Sequence, residues 1–321
     1  MRAAVLSAPG EPPRYGEHPD PAPGAGETLV RVTAAPVVPL DLLCASGTSY
    51  FGRPAVPYVP GAQGVGVVER SSVCRPGQRV WFATSAGMAP GDGGLAELCA
   101  VPDGDVVPVD AEVADDVVAA LGLSAVAAWM SLTWRARLAA GEKVVVLGAG
   151  GAVGQVAVGA ARLLGAERVV AVARAGESTE RAARAGAHEV VALVPDAGEL
   201  AAAVEKALGG TADVVIDPVF GVAASAACRV LGPGGRLVNL GGASGDLAEL
   251  SSSVLRSRSV DVLGYTNNAL TPAQRAEALT AVVGQAARGA LAVAHAVLPL
   301  TDVEEGWRRV AEGGPRVVLD P

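Results

Sequence analysis

Aromatic residues are scarce, with three Phe, four Trp and four Tyr in 321 residues. Any core must therefore be built from Ala, Val and Leu. Lysine is nearly missing, at Lys143 and Lys206 only. With the abundant Ala, that reflects a GC-rich coding genome rather than a function. Positive charge is short overall: 25 Lys and Arg against 33 Asp and Glu give a net charge of −8 and a pI near 5.0. No basic field exists to hold a phosphate backbone, so no nucleic-acid partner is expected. Cys44, Cys74, Cys99 and Cys228 lie far apart with no C-x-x-C pair, which is not a disulfide framework. No uninterrupted apolar run reaches the roughly 18 residues of a membrane span. The opening MRAAVLSAPGEPPRYGEHPD holds no signal-peptide core. The expectation is a soluble cytoplasmic protein without a membrane partner.

What is present is apolar and turn-rich. Half of the residues are hydrophobic, 18% are charged and the mean hydropathy is +0.38, which excludes a disordered chain. Gly and Pro number 41 and 22 without a Gly-X-Y period, so the chain is not fibrous. The length predicts two domains. Residues 1–115 hold short apolar runs between turn residues, at Thr28 to Val32, Gly64 to Val68, Arg79 to Phe82 and Glu97 to Val101, which read as an all-β unit. Val113 to Arg137 turns Ala-rich and helical. From Lys143 strands and helices alternate. Strands are expected at Lys143 to Leu147, Arg168 to Ala173, Glu189 to Leu193, Asp213 to Ile216, Arg236 to Leu240 and Ser259 to Leu263. Helices are expected at Val153 to Leu164, Ser178 to Ala185, Glu199 to Leu208, Gly221 to Leu231 and Thr271 to Arg288. That alternation predicts a doubly wound parallel sheet. Short strands return at Ala294 to Leu298 and Arg316 to Leu319, so the C-terminal segment is placed with the all-β unit.

The strongest local signal is VVVLGAGGAVG, Val144 to Gly154, between a buried strand and an Ala-rich helix. That is the context a dinucleotide fingerprint needs. Ala149, Gly151 and Gly154 take its three glycine positions. Gly151 lets the backbone approach a pyrophosphate, and Gly154 lets helix pack on strand. The candidate turn comprises Gly148, Ala149, Gly150, Gly151, Ala152, Val153 and Gly154, with the helix N-terminus supplying N–H donors. Nineteen residues beyond Gly154 an acidic group would bind a ribose 2′-hydroxyl, and Ala173 stands there. Arg174 follows, with Ser178 and Arg181 within reach of a 2′-phosphate, so NADPH is the expected cofactor. The alternative makes Arg174 a solvated loop residue and Glu177 the acid. Asn239, Gly241 and Gly242 follow the strand RLVNL, where a dinucleotide crosses the sheet.

With this fingerprint, the whole chain resembles a medium-chain dehydrogenase/reductase, closest to the zinc-independent quinone oxidoreductase branch. PYVPGAQGVGVVE resembles the family's G-x-E-G-x-G-x-V element. CRPGQRVWF and GGLAELCAVP resemble its G-D-R-V and G-x-x-A-E-Y-x-x-V-P segments, and GAGGAVGQVAVGAARLLGA its cofactor turn. The resemblance implies a GroES-like catalytic domain over 1–115 and 290–321, a Rossmann domain over 116–289, a cleft between them and NADPH-dependent hydride transfer. It implies no metal. Val38 and the Gly61-Ala62-Gln63 triplet stand where zinc-dependent members carry Cys and Gly-His-Glu, and His18, His188 and His295 are scattered. It places the loop Ser46 to Tyr58 at the substrate cleft, where a Tyr50 or Tyr58 hydroxyl would bond a carbonyl or relay a proton. Either Tyr could instead be an ordinary amphipathic residue at a domain edge. Asp41 matches the family's Asp, as a catalytic candidate or as a helix cap or Arg partner. Tyr265 and Thr266 match the segment that approaches the nicotinamide; Tyr265 could equally pack at a dimer edge. Val38 and Ala127 replace a frequent Asn and Thr, which suits a hydrophobic quinone or carbonyl substrate. A homodimer is expected through the apolar strand Val260 to Leu263. Competing readings are an enoyl reductase dedicated to polyketide intermediates and a non-catalytic NADPH-binding protein.

Overall fold

The computed structural model describes residues 1–321. In chain order the elements begin with β1 (Arg2–Val5), β2 (Arg14–Glu17), β3 (Glu27–Val37), α1 (Pro39–Ser46), β4 (Gln63–Arg70), β5 (Arg79–Ala83), β6 (Leu98–Pro102), β7 (Val106–Pro108) and α2 (Asp115–Met130). They continue with β8 (Lys143–Val146), α3 (Ala152–Leu163), β9 (Arg168–Ala173), α4 (Glu177–Arg184), β10 (Glu189–Ala192), α5 (Ala197–Leu208), β11 (Ala212–Asp217), α6 (Gly221–Val230) and β12 (Leu231–Asn239). They end with α7 (Ser252–Arg258), β13 (Asp261–Gly264), α8 (Pro272–Ala287), β14 (His295–Pro299), α9 (Val303–Ala311) and β15 (Arg316–Asp320). The chain divides into two compact units. One comprises Met1–Leu123, Leu279–Ala287 and Ala294–Pro321; the other comprises Ser124–Ala278 and Arg288–Val293.

The first unit is built on a mixed sheet in the order β14-β15-β3-β4-β5-β7, with β6 also paired to β3 and β1-β2 as a separate ribbon. The strand β15 joins it by antiparallel pairing of Val317, Val318 and Leu319 with Val37, Pro36 and Ala35. Strands from the N-terminal third and the C-terminal segment therefore build one sheet. Two of the few aromatics, Trp81 and Phe82 on β5, are fully buried in this unit, with Leu6 and Leu95. Gly64 and Gly66 on β4 have a structural reason. A Cβ at Gly64 would lie 2.5 Å from the Phe82 ring, and one at Gly66 would overlap the Arg31 carbonyl of β3.

The second unit is an all-parallel sheet in the order β10-β9-β8-β11-β12-β13. This is the doubly wound order with its reversal between β8 and β11, where a crevice opens beyond the strand ends. The central strands carry continuous Val, Leu and Ile because both faces are covered; Val144, Val145, Val146, Val214, Val215 and Ile216 are fully buried. Short Ala-rich helices let α5 and α6 lie close on one face, where Leu200, Val204, Ala224 and Ala227 share a core with Val145 and Val215.

The helix α2 is interrupted. Gly122 takes φ 33°, ψ −132° inside it. Fully buried Gln63, at the start of β4, causes the break: its Oε1 accepts from the Leu123 N–H at 2.6 Å and from Trp81 Nε1 at 3.1 Å. A side-chain acceptor replaces a rung of the helical ladder, which is a recognised origin of helix kinks. A Cβ at Gly122 would overlap that oxygen, so Gly is required there. The same helix runs into a π-turn at Ser131–Arg135. Asp115–Arg135 has the length and hydropathy of a membrane span, yet 72% of its most apolar window is buried inside the protein.

Replacing Gln63 with Leu keeps the volume but strands the Trp81 and Leu123 donors. We expect a loss of about 2–4 kcal/mol in denaturant unfolding; a loss under about 0.5 kcal/mol would show that the pin is dispensable.

Candidate functional site: a dinucleotide crevice and a buried carboxylate

The glycine turn between β8 and α3 is shaped by contacts that leave no room for side chains. A Cβ at Gly154 would lie 2.5 Å from both Ala149 Cα and the Gly148 oxygen, so α3 starts directly against the end of β8. Gly148 has φ +58°, and a Cβ there would lie 2.5 Å from Val219 Cγ1. Ala149 is fully buried and its N–H donates to Val172 O at 3.0 Å. A Cβ at Gly150 would lie 2.6 Å from Ser178 Cβ. Gly151 differs: it is exposed, and a Cβ there would meet only Gly148 O, at 3.4 Å. Gly151 is the N-cap of α3 and no side chain caps that helix. The first-turn N–H groups of Ala152, Val153 and Gly154 thus lie at an open, partly positive helix end. The cradle fits a pyrophosphate.

The strand β9 ends at buried Ala173, and Arg174 beyond it is exposed. Ser178 is half-buried on the first turn of α4. Arg181 turns inward and is buried, with its Nε donating to Gly150 O at 2.9 Å. Its other nitrogens reach Glu177 Oε2 at 3.2 Å and Ser178 Oγ at 3.1 Å. Glu177 is therefore the partner of Arg181.

Asp217, at the end of β11, carries no signal in the sequence that would single it out. Its carboxylate is fully buried and accepts from Val219 N at 3.1 Å, Phe220 N at 2.7 Å and Asn239 Nδ2 at 3.1 Å. Burial pushes its pKa up against those bonds. The network holds Phe220 at φ 58°, ψ −149°, a conformation that suits glycine. Asn239 also donates to Gly241 O at 2.8 Å, so its amide is fastened inside the protein. Gly241 packs on Pro218, where a Cβ would lie 2.6 Å from the carbonyl oxygen, and one at Gly242 would lie 3.0 Å from Gly245 O. Tyr265 N donates to Asn239 O at 2.8 Å, and its hydroxyl donates to Asn267 Oδ1 at 2.7 Å. Its ring meets Trp134 edge-on at 6.2 Å. The Thr266 side chain accepts from Asn268 N and caps a 3₁₀ turn. All these segments follow the C-terminal ends of strands in one sheet.

In the first unit the sequence candidates separate. Tyr50 is 80% exposed and stacks on Phe51 with ring centroids 4.2 Å apart. Tyr58 is buried, its hydroxyl has no hydrogen-bond partner, and a Cβ at Gly87 would lie 2.8 Å from it. Burial pushes the Tyr58 phenol well above its ordinary value of 10, so it stays protonated. Asp41 is buried on the first turn of α1. One oxygen accepts from Val38 N at 2.8 Å and the other from Ala62 N at 2.9 Å, with buried Arg316 as the attracting cation. The carboxylate caps α1 and ties it to the segment before β4. Arg316, lowered to about 10 by burial, is the arginine partner that residue spacing alone could not name.

Burial raises the Asp41 pKa from 3.8 to about 6, the backbone donors and Arg316 opposing it. The folded chain then holds a proton that the unfolded chain has lost between those values. Stability from this group is present below pH 4 and is lost as pH rises through 6. Between pH 4 and 7 the gap in unfolding free energy between wild type and Asp41→Asn should shift by about 3 kcal/mol. Parallel pH curves would contradict that assignment.

Residues 24–111 match the alcohol dehydrogenase GroES-like domain and residues 152–284 match the zinc-binding dehydrogenase domain. The chain is 31% identical to the quinone oxidoreductase of Lama guanicoe over 226 residues, which cover 69% of this chain and 66% of that one, just under two thirds of the relative. It is 31% identical over 305 residues to a component of the phenolphthiocerol/phthiocerol polyketide synthase of Mycobacterium tuberculosis, covering 91% of this chain and 13% of that much longer one. The quinone oxidoreductase of Thermus thermophilus, solved alone and with NADPH, is 31% identical and superposes with a TM-score of 0.81 over all of both chains. No group of three or more His, Cys, Asp or Glu side chains is placed to hold a metal ion, and Val38 and Ala62 stand at the expected ligand positions. Two domain matches, full-length superposition and the strand order together assign the chain to the medium-chain dehydrogenase/reductase superfamily, in its quinone oxidoreductase branch.

Proposed function

We propose that this chain is an NADPH-dependent reductase that acts, without zinc, on a quinone or an α,β-unsaturated carbonyl. The observation that carries the reading is the uncapped start of α3 at the open Gly151, beside a strand end that offers Ala173 and Arg174 instead of a carboxylate. The N–H groups of Ala152, Val153 and Gly154 hold the pyrophosphate. Arg174 and the Ser178 hydroxyl take the 2′-phosphate, where a planar guanidinium bonds two oxygens at once. Gly148, Ala149 and Gly150 shape the turn, and Asn239, Gly241, Gly242, Tyr265 and Thr266 border the cofactor beyond β12 and β13. When bound, NADPH supplies a hydride. The NADPH complex of the Thermus thermophilus quinone oxidoreductase supports the same cofactor here.

The protein's part in the chemistry is to bind, orient and exclude water. Val38 and Ala62 in the first unit carry apolar side chains at the positions where ligands would stand, which suits an apolar acceptor. Of the two tyrosines, Tyr50 is the one with an accessible hydroxyl for a substrate carbonyl, while Tyr58 is enclosed. Asp41 holds the Val38 and Ala62 backbones in place. A second reading, reduction of an enoyl intermediate in polyketide assembly, is favoured by the synthase relative, of which this chain matches a stretch equal to 13%. Turnover of an enoyl thioester far above that of free quinones would select it. A homodimer through the edge strand β13, where Val262 is 42% exposed, completes the proposal; a monomeric mass by light scattering would end that part.

We expect purified protein to oxidise NADPH with a quinone or enone acceptor, at a rate unchanged by chelator. Arg174→Ala should lower kcat/KM for NADPH by about tenfold or more and leave that for NADH nearly unchanged. Chelator-sensitive turnover would overturn the zinc-free reading. NADPH binding without turnover of any quinone, enone or enoyl thioester would favour a binding protein.

A further inference from the structure

We infer that Arg181 is the brace of the dinucleotide turn: it fixes the Gly150–Gly151 peptide, and through it the affinity for NADPH and NADH alike, while Arg174 alone carries the charge that reads the 2′-phosphate. The inference rests on the NADPH reading above and assigns a positioning residue within it.

Three glycines in four residues, Gly148, Gly150 and Gly151, give this turn high intrinsic backbone freedom. An anion site made of backbone N–H groups needs them held still. Arg181 supplies the restraint from a neighbouring element. Its guanidinium is 6% exposed and its Nε donates to Gly150 O at 2.9 Å. Gln155 Nε2 donates to the same carbonyl at 3.1 Å. The N–H of the same peptide, on Gly151, donates to Gly148 O at 3.0 Å. The peptide plane is thus pinned at its oxygen by two side chains and at its nitrogen by the backbone. It cannot flip without breaking a hydrogen bond at each end.

The approach of α4 to the turn makes the brace reachable. Gly150 lacks the Cβ that would lie 2.6 Å from Ser178 Cβ, so the first turn of α4 comes close enough for Arg181 to reach inward. Glu177, Ser178 and Arg181 are spaced to share one helix face. The Nη1 of Arg181 donates to Glu177 Oε2 at 3.2 Å and its Nη2 to Ser178 Oγ at 3.1 Å. Each of the three guanidinium nitrogens therefore donates to a protein acceptor, and a carboxylate pairs with its charge. It does not present a free cation to a phosphate. Arg174 is exposed at the end of β9 and carries no such burial.

Equilibrium binding separates a brace from a phosphate ligand, because only the second distinguishes the two cofactors. NADPH and NADH dissociation constants would be measured by calorimetry for wild type, Arg181→Met, Gln155→Leu and Arg174→Ala, with thermal unfolding of each. We expect Arg181→Met to weaken both cofactors by about tenfold, with their ratio held within about twofold. Gln155→Leu, acting on the same carbonyl from α3, should weaken both by a smaller and equal factor. Arg174→Ala should weaken NADPH alone. Loss of NADPH affinity with NADH unchanged in Arg181→Met would overturn the inference, as would a lower Tm with both affinities intact. Should Arg181→Met fail to fold, unchanged NADH affinity in Gln155→Leu would overturn it instead. Wild-type protein that binds neither cofactor would overturn the NADPH reading itself and the brace with it.

Discussion

The contact of α3 with the end of β8 is the constraint on which the second unit depends. Helix and strand meet with no side chain between them, because Gly154 faces Ala149 Cα and Gly148 O at a distance that admits no Cβ. That contact aims the first turn of an uncapped helix out of the sheet and leaves its N–H groups for an anion. It lies beside the reversal of strand order between β8 and β11, where the crevice of a doubly wound sheet opens. Neighbouring segments are then fitted to the turn by small-residue contacts: Val219 on Gly148, Ser178 on Gly150 and Gly241 on Pro218. A larger side chain at any of these glycines would push one wall of the crevice away.

Buried polar side chains do the complementary work. Each ties together groups from more than one segment of the chain. Asp41 joins the start of α1 to the segment before β4, Gln63 joins β4 and β5 to the kink in α2, and Asp217 joins the turn after β11 to the end of β12. A buried acceptor is costly when unpaired, so each such residue specifies one arrangement of its neighbours. In the first unit this polar scaffolding surrounds Val38 and Ala62, the positions where a metal-dependent relative needs ligands. There Asp41 accepts from both backbones, and the two side chains are apolar and buried.

Much of the second unit was legible in the sequence because its signals are local. The run KVVVL, the glycine turn and the Ala-rich α3 are adjacent, and all three formed where expected. The helix after Thr271 starts at Pro272 with the Thr271 hydroxyl accepting from Gln274 N. β12 starts at Leu231, ahead of the expected Arg236: Leu231 pairs with Ala212 of β11, the Gly-Pro-Gly-Gly stretch bulges out of register with Gly234 at φ 69°, and the ladder resumes at Arg236 and Val214. The short helices α7 and α9 and the β1-β2 ribbon gave no periodic run long enough to notice. The candidate site was readable to the same extent. Glycine positions and the missing acid at Ala173 are one-dimensional facts. The inward turn of Arg181, the strained Phe220 and the partnership of Asp41 with Arg316 depend on which elements meet, and no spacing encodes them.

The most direct test of the account is isotopic. NADPH carrying deuterium at the transferable position would be incubated with the protein, chelator and a simple enone, and the product analysed by mass spectrometry and NMR. The account predicts one deuterium on the β-carbon of the saturated ketone, transferred without exchange with water. Product without label, or reduction that stops when the chelator is added, would contradict it.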